Sequence, residues 1–283
     1  MEWQTPVALP QPTFQLEPQE QMLCVGSCFA DRIGALLNED GFRITANPYG
    51  VMYNPVSILH TVGRLMESQP DYAPRIAILT LGTNHVYRLK STGEIVDNCR
   101  KQPARLFEEE ALDIDACTRA LDSAVEQLHR RNPDIQVLVT VSPIRYAKYG
   151  FHGSQLSKAT LLLAADSLCR KRPETVTYFP AYEMMMDQLR DYRFYAEDML
   201  HPSAQAVAYI YERFGENYFS DAARTFLKAW RPLRTALRHR PFNPDSEEYR
   251  QFMDKTMLKI AALSEKYPNF AYPNHSLDRQ GRD

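Results

Sequence analysis

The chain has 283 residues, with 33 Lys and Arg against 35 Asp and Glu and a formal net charge of −2, a balance with no electrostatic bias toward nucleic acid. No apolar run approaches the ~18 residues that suggest a membrane span, and the start lacks the basic and apolar regions of a secretory signal. Five cysteines, an odd number at scattered positions, make no disulfide framework, so a reduced, cytoplasmic protein is expected.

The first predicted element is a strand over Met22-Leu23-Cys24-Val25, which breaks at Gly26-Ser27-Cys28. An amphipathic helix follows, setting Phe29, Ile33, Leu36 and Leu37 against Asp31, Arg32, Asn38 and Glu39. This junction presents a small nucleophile at a helix N-terminus, where unpaired backbone N–H groups favour negative charge. A thiol there is expected to ionise more readily, and a developing oxyanion finds donors nearby. Buried parallel strands are predicted over Ile76–Leu81 and Ile135–Val141, both nearly continuous apolar runs. Between them, Ala120, Ala124 and Leu128 mark a helix over Asp115–Arg131, closed by Asn132-Pro133. Leu156, Leu161, Leu162 and Ala165 mark another over Ser154–Arg172. A short strand over Val176–Phe179, a Met-rich helix over Ala181–Leu189 and a helix over Ala204–Phe214 complete the series. Met184, Met185 and Met186 read as core packing, and so do Cys99, Cys117 and Cys169.

Strands alternating with helices call for an α/β fold, a three-layer parallel sheet flanked by helices. The α/β pattern occupies residues 1–215, and residues 216–283 read as a helical C-terminal extension. Two helices are expected there, Asn217–Arg238 and Ser246–Leu263, with Pro232 kinking or dividing the first. Arg224–Arg240 holds six basic residues and no acid, which suits a solvated face or docking onto an anionic partner. The tail from Asn274 is polar and expected to be disordered.

A second chemical motif lies far downstream, in Glu197-Asp198-Met199-Leu200-His201-Pro202. An Asp and a His three residues apart in a loop let a carboxylate orient an imidazole. Pro202 suits the first turn of the helix that follows. Ligands in open α/β sheets bind outside the carboxyl ends of the strands. Cys28, Gly82, Asn84, Ser142, Pro143 and Arg145 all follow strands, so topology gathers them at one edge.

On these residues the chain resembles the GSCFA family, whose name is the motif at Gly26–Ala30 and which is similar to SGNH, or GDSL, hydrolases. Further matching stretches are Asn47-Pro48-Tyr49-Gly50, Tyr53-Asn54-Pro55, Leu81-Gly82-Thr83-Asn84, Thr140–Arg145, Ser157-Lys158-Ala159 and Tyr192–Pro202. Together they span roughly residues 20 to 215. The resemblance implies an SGNH-hydrolase-like, flavodoxin-like fold and an acyl-ester hydrolase of a small molecule or glycan, without cofactor. It places the nucleophile at Cys28 or Ser27, with Asp198 orienting His201. Gly50 and Asn84 match the oxyanion positions. A glycan O-acyltransferase would use the same residues, and a non-catalytic glycan-binding module on the same scaffold is a further possibility. Oligomeric state is not legible.

Other residues carry two readings each. His85 is a second acid–base group or a half-exposed strand residue. Arg145 grips a substrate carboxylate or phosphate through its planar fork, or forms a structural salt bridge. His152 sits in a loop beside the cleft. Tyr49, with Tyr53, Tyr146, Phe151 and Tyr195, offers rings with polar tips that suit sugars, although packing explains most of them. Cys24, Cys28 and Cys99 lack the paired spacing of a zinc knuckle, so no metal is expected.

Overall fold

The computed structural model describes residues 4–268 and residue 270; the polar tail from Asn274 lies outside the described residues. β1 (Gln21–Gly26) and β3 (Ile76–Leu81) are apolar runs, and every residue of β3 is buried. Such runs suit central strands covered on both faces. With β2 (Arg43–Ala46), β7 (Gln136–Val141) and β8 (Val176–Tyr178) they form a five-stranded parallel sheet in the order β2-β1-β3-β7-β8. Register places Gly26 beside Thr80 and Thr80 beside Thr140, so the three central strands end level with one another.

Alternation along the strands sorts the core into two layers. Met22, Cys24, Ile76, Ile78 and Leu138 share one cluster with α1 (Cys28–Glu39), α6 (Ala204–Tyr218) and α7 (Asp221–Arg238), through Phe29, Ile33, Phe214, Phe226 and Trp230. Leu23, Val25, Ala77, Leu79, Val137 and Val139 share the other with α2 (Pro55–Ser68), α3 (Ile114–Arg131) and α4 (Gly150–Lys171). The layered parallel sheet expected from the alternating pattern is therefore present. A short turn, α5 (Ala181–Glu183), runs into a π-helical turn over Met184–Gln188 where one Met-rich helix was expected; Met184 and Met185 are buried.

An antiparallel sheet in the order β5-β4-β6 adds to this frame, from β4 (His85–Leu89), β5 (Ile95–Val96) and β6 (Phe107–Ala111). β6 reads Phe-Glu-Glu-Glu-Ala and carries no alternating apolar signal, which hides it from periodicity. α2 was also unexpected, although Asn54 caps it by accepting from the Ser57 N–H at 2.9 Å and Pro55 is its first residue.

Pro232 does not divide α7, which runs unbroken from Asp221 to Arg238. Trp230 and Leu233 bury on either side of it, and Arg231 and Arg234 grip one carboxylate, which outweighs the single lost helical hydrogen bond. That carboxylate is Asp40, 2% exposed at the end of α1. Arg231 lies 2.6 Å and Arg234 2.7 Å from it, and the Tyr211 hydroxyl donates to it at 2.9 Å. Arg238 pairs with Glu39 at 3.0 Å. Half of the basic stretch is thus paired to the acidic end of α1 rather than solvated. α8 (Glu247–Lys266) adds Ile260 and Leu263 to the same core. Among the described residues, no helix is long and apolar enough to cross a membrane.

Candidate active site

The junction between β1 and α1 depends on one glycine. Gly26 has φ +147, and a Cβ there would lie 2.1 Å from the Thr80 carbonyl oxygen. Only glycine lets β1 turn so close to β3. Gly26→Ala is expected to cost more than ~3 kcal/mol, through positive-φ strain and the backbone clash together. A urea midpoint close to wild type would show that the junction relaxes instead.

Ser27 follows, fully buried. Its N–H donates to the Thr80 carbonyl at 3.0 Å. Its Oγ accepts from the Phe29 N–H at 3.3 Å and lies 3.1 Å from Thr80 Oγ1. Ser27 is thus the N-cap of α1, with its hydroxyl occupied inside the fold. Cys28 is the first helical residue and is partly exposed, and its own backbone N–H faces its sulfur. Burial pushes the Cys28 thiol up, more strongly than Arg32 and Lys158 draw it down, while Asp31 adds to the rise. The gain in acidity expected from the helix N-terminus is therefore reversed by desolvation.

Asn47 fixes this junction from the next loop. It adopts φ +39, its side-chain Oδ1 accepts from the Gly26 N–H at 2.8 Å, and its Nδ2 donates to Asp31 at 2.6 Å. Its own N–H reaches the Cys24 carbonyl at 2.9 Å. Gly50, in the same turn at φ +93, closes its N–H onto the Asn47 carbonyl at 2.9 Å, so that donor is engaged. Asn84 is buried, and its Nδ2 donates to the Leu112 carbonyl at 2.7 Å, leaving one amide hydrogen. Tyr49 turns toward α2 instead, with its hydroxyl 2.6 Å from Ser68 Oγ and Arg64 over its ring at 4.6 Å.

Asp198 and His201 do meet. His201 Nδ1 is 2.5 Å from Asp198 Oδ2, while Oδ1 accepts from the Leu200 and His201 N–H groups, both at 2.9 Å. These backbone donors, ahead of the ring, hold the Asp198 carboxyl down to about 2. Arg145 clamps the loop. Its N–H donates to the Leu200 carbonyl at 3.0 Å and its guanidinium to the Met199 carbonyl at 3.1 Å. Phe151 and Tyr195 lie 4.1 and 5.1 Å from the guanidinium carbon. No carboxylate pairs with Arg145 among the described ion pairs, so the salt bridge envisaged for it is replaced by this clamp. Pro202 precedes rather than begins α6. Ser203 caps that helix, and Pro202 bridges back to Tyr195.

His85 lies on β4, stacked on Tyr149 at 3.8 Å and 4.0 Å from Glu109. Burial lowers its pKa, with Glu109 opposing. His152 occupies the first turn of α4 instead of a loop. Cys24 is buried, and among the described residues no group of three His, Cys, Asp or Glu side chains is placed to hold a metal.

Lys158, on α4, is the residue that sequence reasoning passed over except as part of a matching stretch. It is 2% exposed. Its Nζ donates to the carbonyls of Gly82 at 2.6 Å and Ser142 at 2.9 Å, at the ends of β3 and β7. Its position was legible: Ser154, Lys158, Leu161, Ala165 and Leu168 form one buried helical stripe.

Several clefts open on the surface of the described residues. One of about 600 Å3 is lined by Arg145, Gln155, Tyr182, Asp187, Tyr192 and Tyr195, and so adjoins the clamped loop. A larger one of about 720 Å3, between α6 and α7, includes none of the candidate residues.

The parallel sheet flanked by helices is the fold seen in solved GDSL-like proteins. A putative GDSL-like lipase from Parabacteroides merdae matches it with TM-score 0.50 at 12% identity, over 73% of this chain and 98% of its own. A Geobacillus acetyl-xylooligosaccharide esterase is more distant, with TM-score 0.47 at 11% identity over 72% and 96% of the two chains. So is a carbohydrate esterase family 3 protein from Talaromyces cellulolyticus, at 0.43 and 11% over 74% and 98%. At such identities the likeness is one of fold. The sequence profile of the GSCFA family matches residues 21–75 and 72–214, and that of the GSCFA domain protein C-terminal domain matches residues 230–274. The chain belongs to the GSCFA family. Among curated proteins, none matches it significantly.

Proposed function

We propose that this chain is an acyl-ester hydrolase with Cys28 as nucleophile, His201 as acid–base group and Asp198 as its orienting carboxylate. The observation that carries the reading is the 2.5 Å contact between Asp198 and His201 Nδ1 on a loop pinned by Arg145. An Nδ1–H donated to the carboxylate leaves Nε2 as the basic nitrogen. Nε2 takes the thiol proton as the sulfur attacks the ester carbonyl. The tetrahedral oxyanion faces the Cys28 N–H and the remaining Asn84 amide hydrogen. Collapse expels the alcohol, protonated by His201, and leaves an acyl thioester. Water, deprotonated by Nε2, then attacks the thioester and frees the acid and the thiol.

Ser27 is the weaker candidate because its hydroxyl is buried and bonded to Thr80. The cleft beside the loop supports a sugar ester as substrate, since Tyr182, Tyr192 and Tyr195 offer ring faces while Gln155 and Asp187 offer polar partners for hydroxyls.

The Asp198 tether is intact above the ordinary carboxylate value of 3.8 and is lost as pH falls toward 2. At neutral pH, release of p-nitrophenolate from p-nitrophenyl acetate tests the reading. His201→Ala is expected to remove turnover, and Asp198→Asn to lower kcat by ~100- to 10,000-fold. Wild-type protein that turns over no acyl ester, or variants that match it, would overturn the proposal. Transfer of the acyl group to an added sugar in preference to water would reassign it as an acyltransferase.

A further inference from the structure

We infer that Glu109, on the antiparallel sheet, is a positioning residue for the Asp198–His201 pair. It anchors the segment between β7 and α4, and through Arg145 that segment holds the loop that carries the imidazole. The inference rests on the assignment of His201 as the acid–base group and adds the part of the fold that keeps its loop in place.

The loop does little to hold itself. The side chains of His201 and Asp198 are 33% and 45% exposed, and a solvated ion pair contributes little rigidity of its own. Met199, between them, sits at φ +60, in the left-handed region that a methionine rarely adopts. Among the described residues, the hydrogen bonds that reach residues 197–201 from a distant segment both come from Arg145, one from its N–H and one from its guanidinium. What orders Arg145 therefore orders the loop. Arg145 itself lies in residues 142–146, which have no regular structure and run into a single 3-10 turn over Ala147–Tyr149. With no ladder or helix of its own, this stretch is placed by what grips it from the side. Phe151, in the first turn of α4, covers the guanidinium at 4.1 Å. The other grip is Glu109.

Both carboxylate oxygens of Glu109 accept from Lys148 Nζ at 2.8 Å, and one also accepts from the Tyr149 hydroxyl. Lys148 donates as well to the Tyr87 hydroxyl, and His85 stacks on the Tyr149 ring at 3.8 Å. Tyr87 and Glu109 are cross-strand partners, so β4 and β6 together hold two consecutive residues of the segment on one face. Burial pushes the Glu109 carboxyl up, but the hydrogen bonds from Lys148 and Tyr149, with the lysine's charge, bring it below its ordinary value. It is therefore ionised at neutral pH. The composition of β6 gains a reason here. Alternation turns the middle glutamate of Glu108-Glu109-Glu110 toward the segment and its neighbours away. Glu110 pairs instead with Arg88 at 2.7 Å. The strand thus carries its own control, a carboxylate of equal charge one residue from the anchor.

Amide hydrogen exchange of residues 196–202, resolved by mass spectrometry, reads the effect directly. Glu109→Ala is expected to speed exchange there by at least ~10-fold while the peptides of α7 and α8 stay unchanged. Its kcat for p-nitrophenyl acetate is expected to fall by ~10- to 100-fold with KM within twofold, since a displaced acid–base group costs rate rather than binding. Glu110→Ala, with the same loss of charge, should leave both readouts at wild-type values. Melting temperatures of the two variants should agree within about 2 °C, because exposed ion pairs add little stability. Should Glu109→Ala fail to fold, Lys148→Met combined with Tyr149→Phe frees the segment from its other side and must raise the same exchange. Adding Glu109→Ala to that pair should change nothing further. Unchanged exchange in residues 196–202, or an equal rise with Glu110→Ala, would overturn the inference. Exchange needs no ester, so a freed loop in a protein without hydrolysis would refute the proposed function alone. Hydrolysis through His201 with exchange unmoved by Glu109→Ala would refute the anchor alone.

Discussion

Replacing Cys28 by alanine is expected to lower kcat/KM for p-nitrophenyl acetate by at least ~10,000-fold, because in the proposed mechanism its sulfur carries the covalent intermediate. Ser27→Ala, one residue earlier, is expected to behave differently. It removes the helix cap and leaves Thr80 Oγ1 without its partner, at a cost of about 1–2 kcal/mol in stability, while turnover stays within a few-fold of wild type. The contrast follows from burial: Ser27 is 0% exposed and hydrogen-bonded inward, whereas Cys28 is partly exposed. Steady-state kinetics with thermal melts on both variants separate the two residues. Activity lost with Ser27→Ala in a protein that still melts like wild type would transfer the nucleophile to the serine.

The largest effect on stability is expected away from the site, at Asp40. Asp40→Ala leaves Arg231, Arg234 and the Tyr211 hydroxyl without their shared acceptor. Removing one side of a buried ion pair costs roughly 3–5 kcal/mol, and the half-exposed Arg231 places this case near ~3. A Tm lower by roughly 5–10 °C is expected in calorimetry. Glu39→Ala is the control. Glu39 is more exposed and pairs with Arg238 at the surface, so its loss should cost under ~1 kcal/mol. Equal melting points for the two variants would mean that the arginines anchor elsewhere.

The fold was legible where burial and periodicity coincide. Ile76–Leu81 and Ile135–Val141 read as parallel strands because both faces are covered, leaving no polar position to confuse the pattern. β6 was not legible, since three consecutive glutamates carry no period. α2 announced itself through Asn54-Pro55, a start signal that was read only as part of a motif.

The site divides in the same way. The Asp198–His201 contact follows from local spacing, whereas the burial of Ser27 depends on Thr80, which only the sheet register brings alongside. Arg145 shows the limit: a guanidinium in a loop reads as a ligand for anions, yet its partners here are main-chain carbonyl and aromatic rings. Desolvation of the thiol was equally invisible, because it is set by packing rather than by neighbours in sequence.

Asn47 has a consequence for anyone who would reshape this protein. One left-handed asparagine stitches the loop after β2 to the backbone on which the sulfur rides, so a change in the loop is passed to that backbone through two hydrogen bonds. Swapping residues 47–54 for a loop of another length would carry the reactive atom along with it, and selectivity is better altered on the far wall, around Tyr182 and Tyr192.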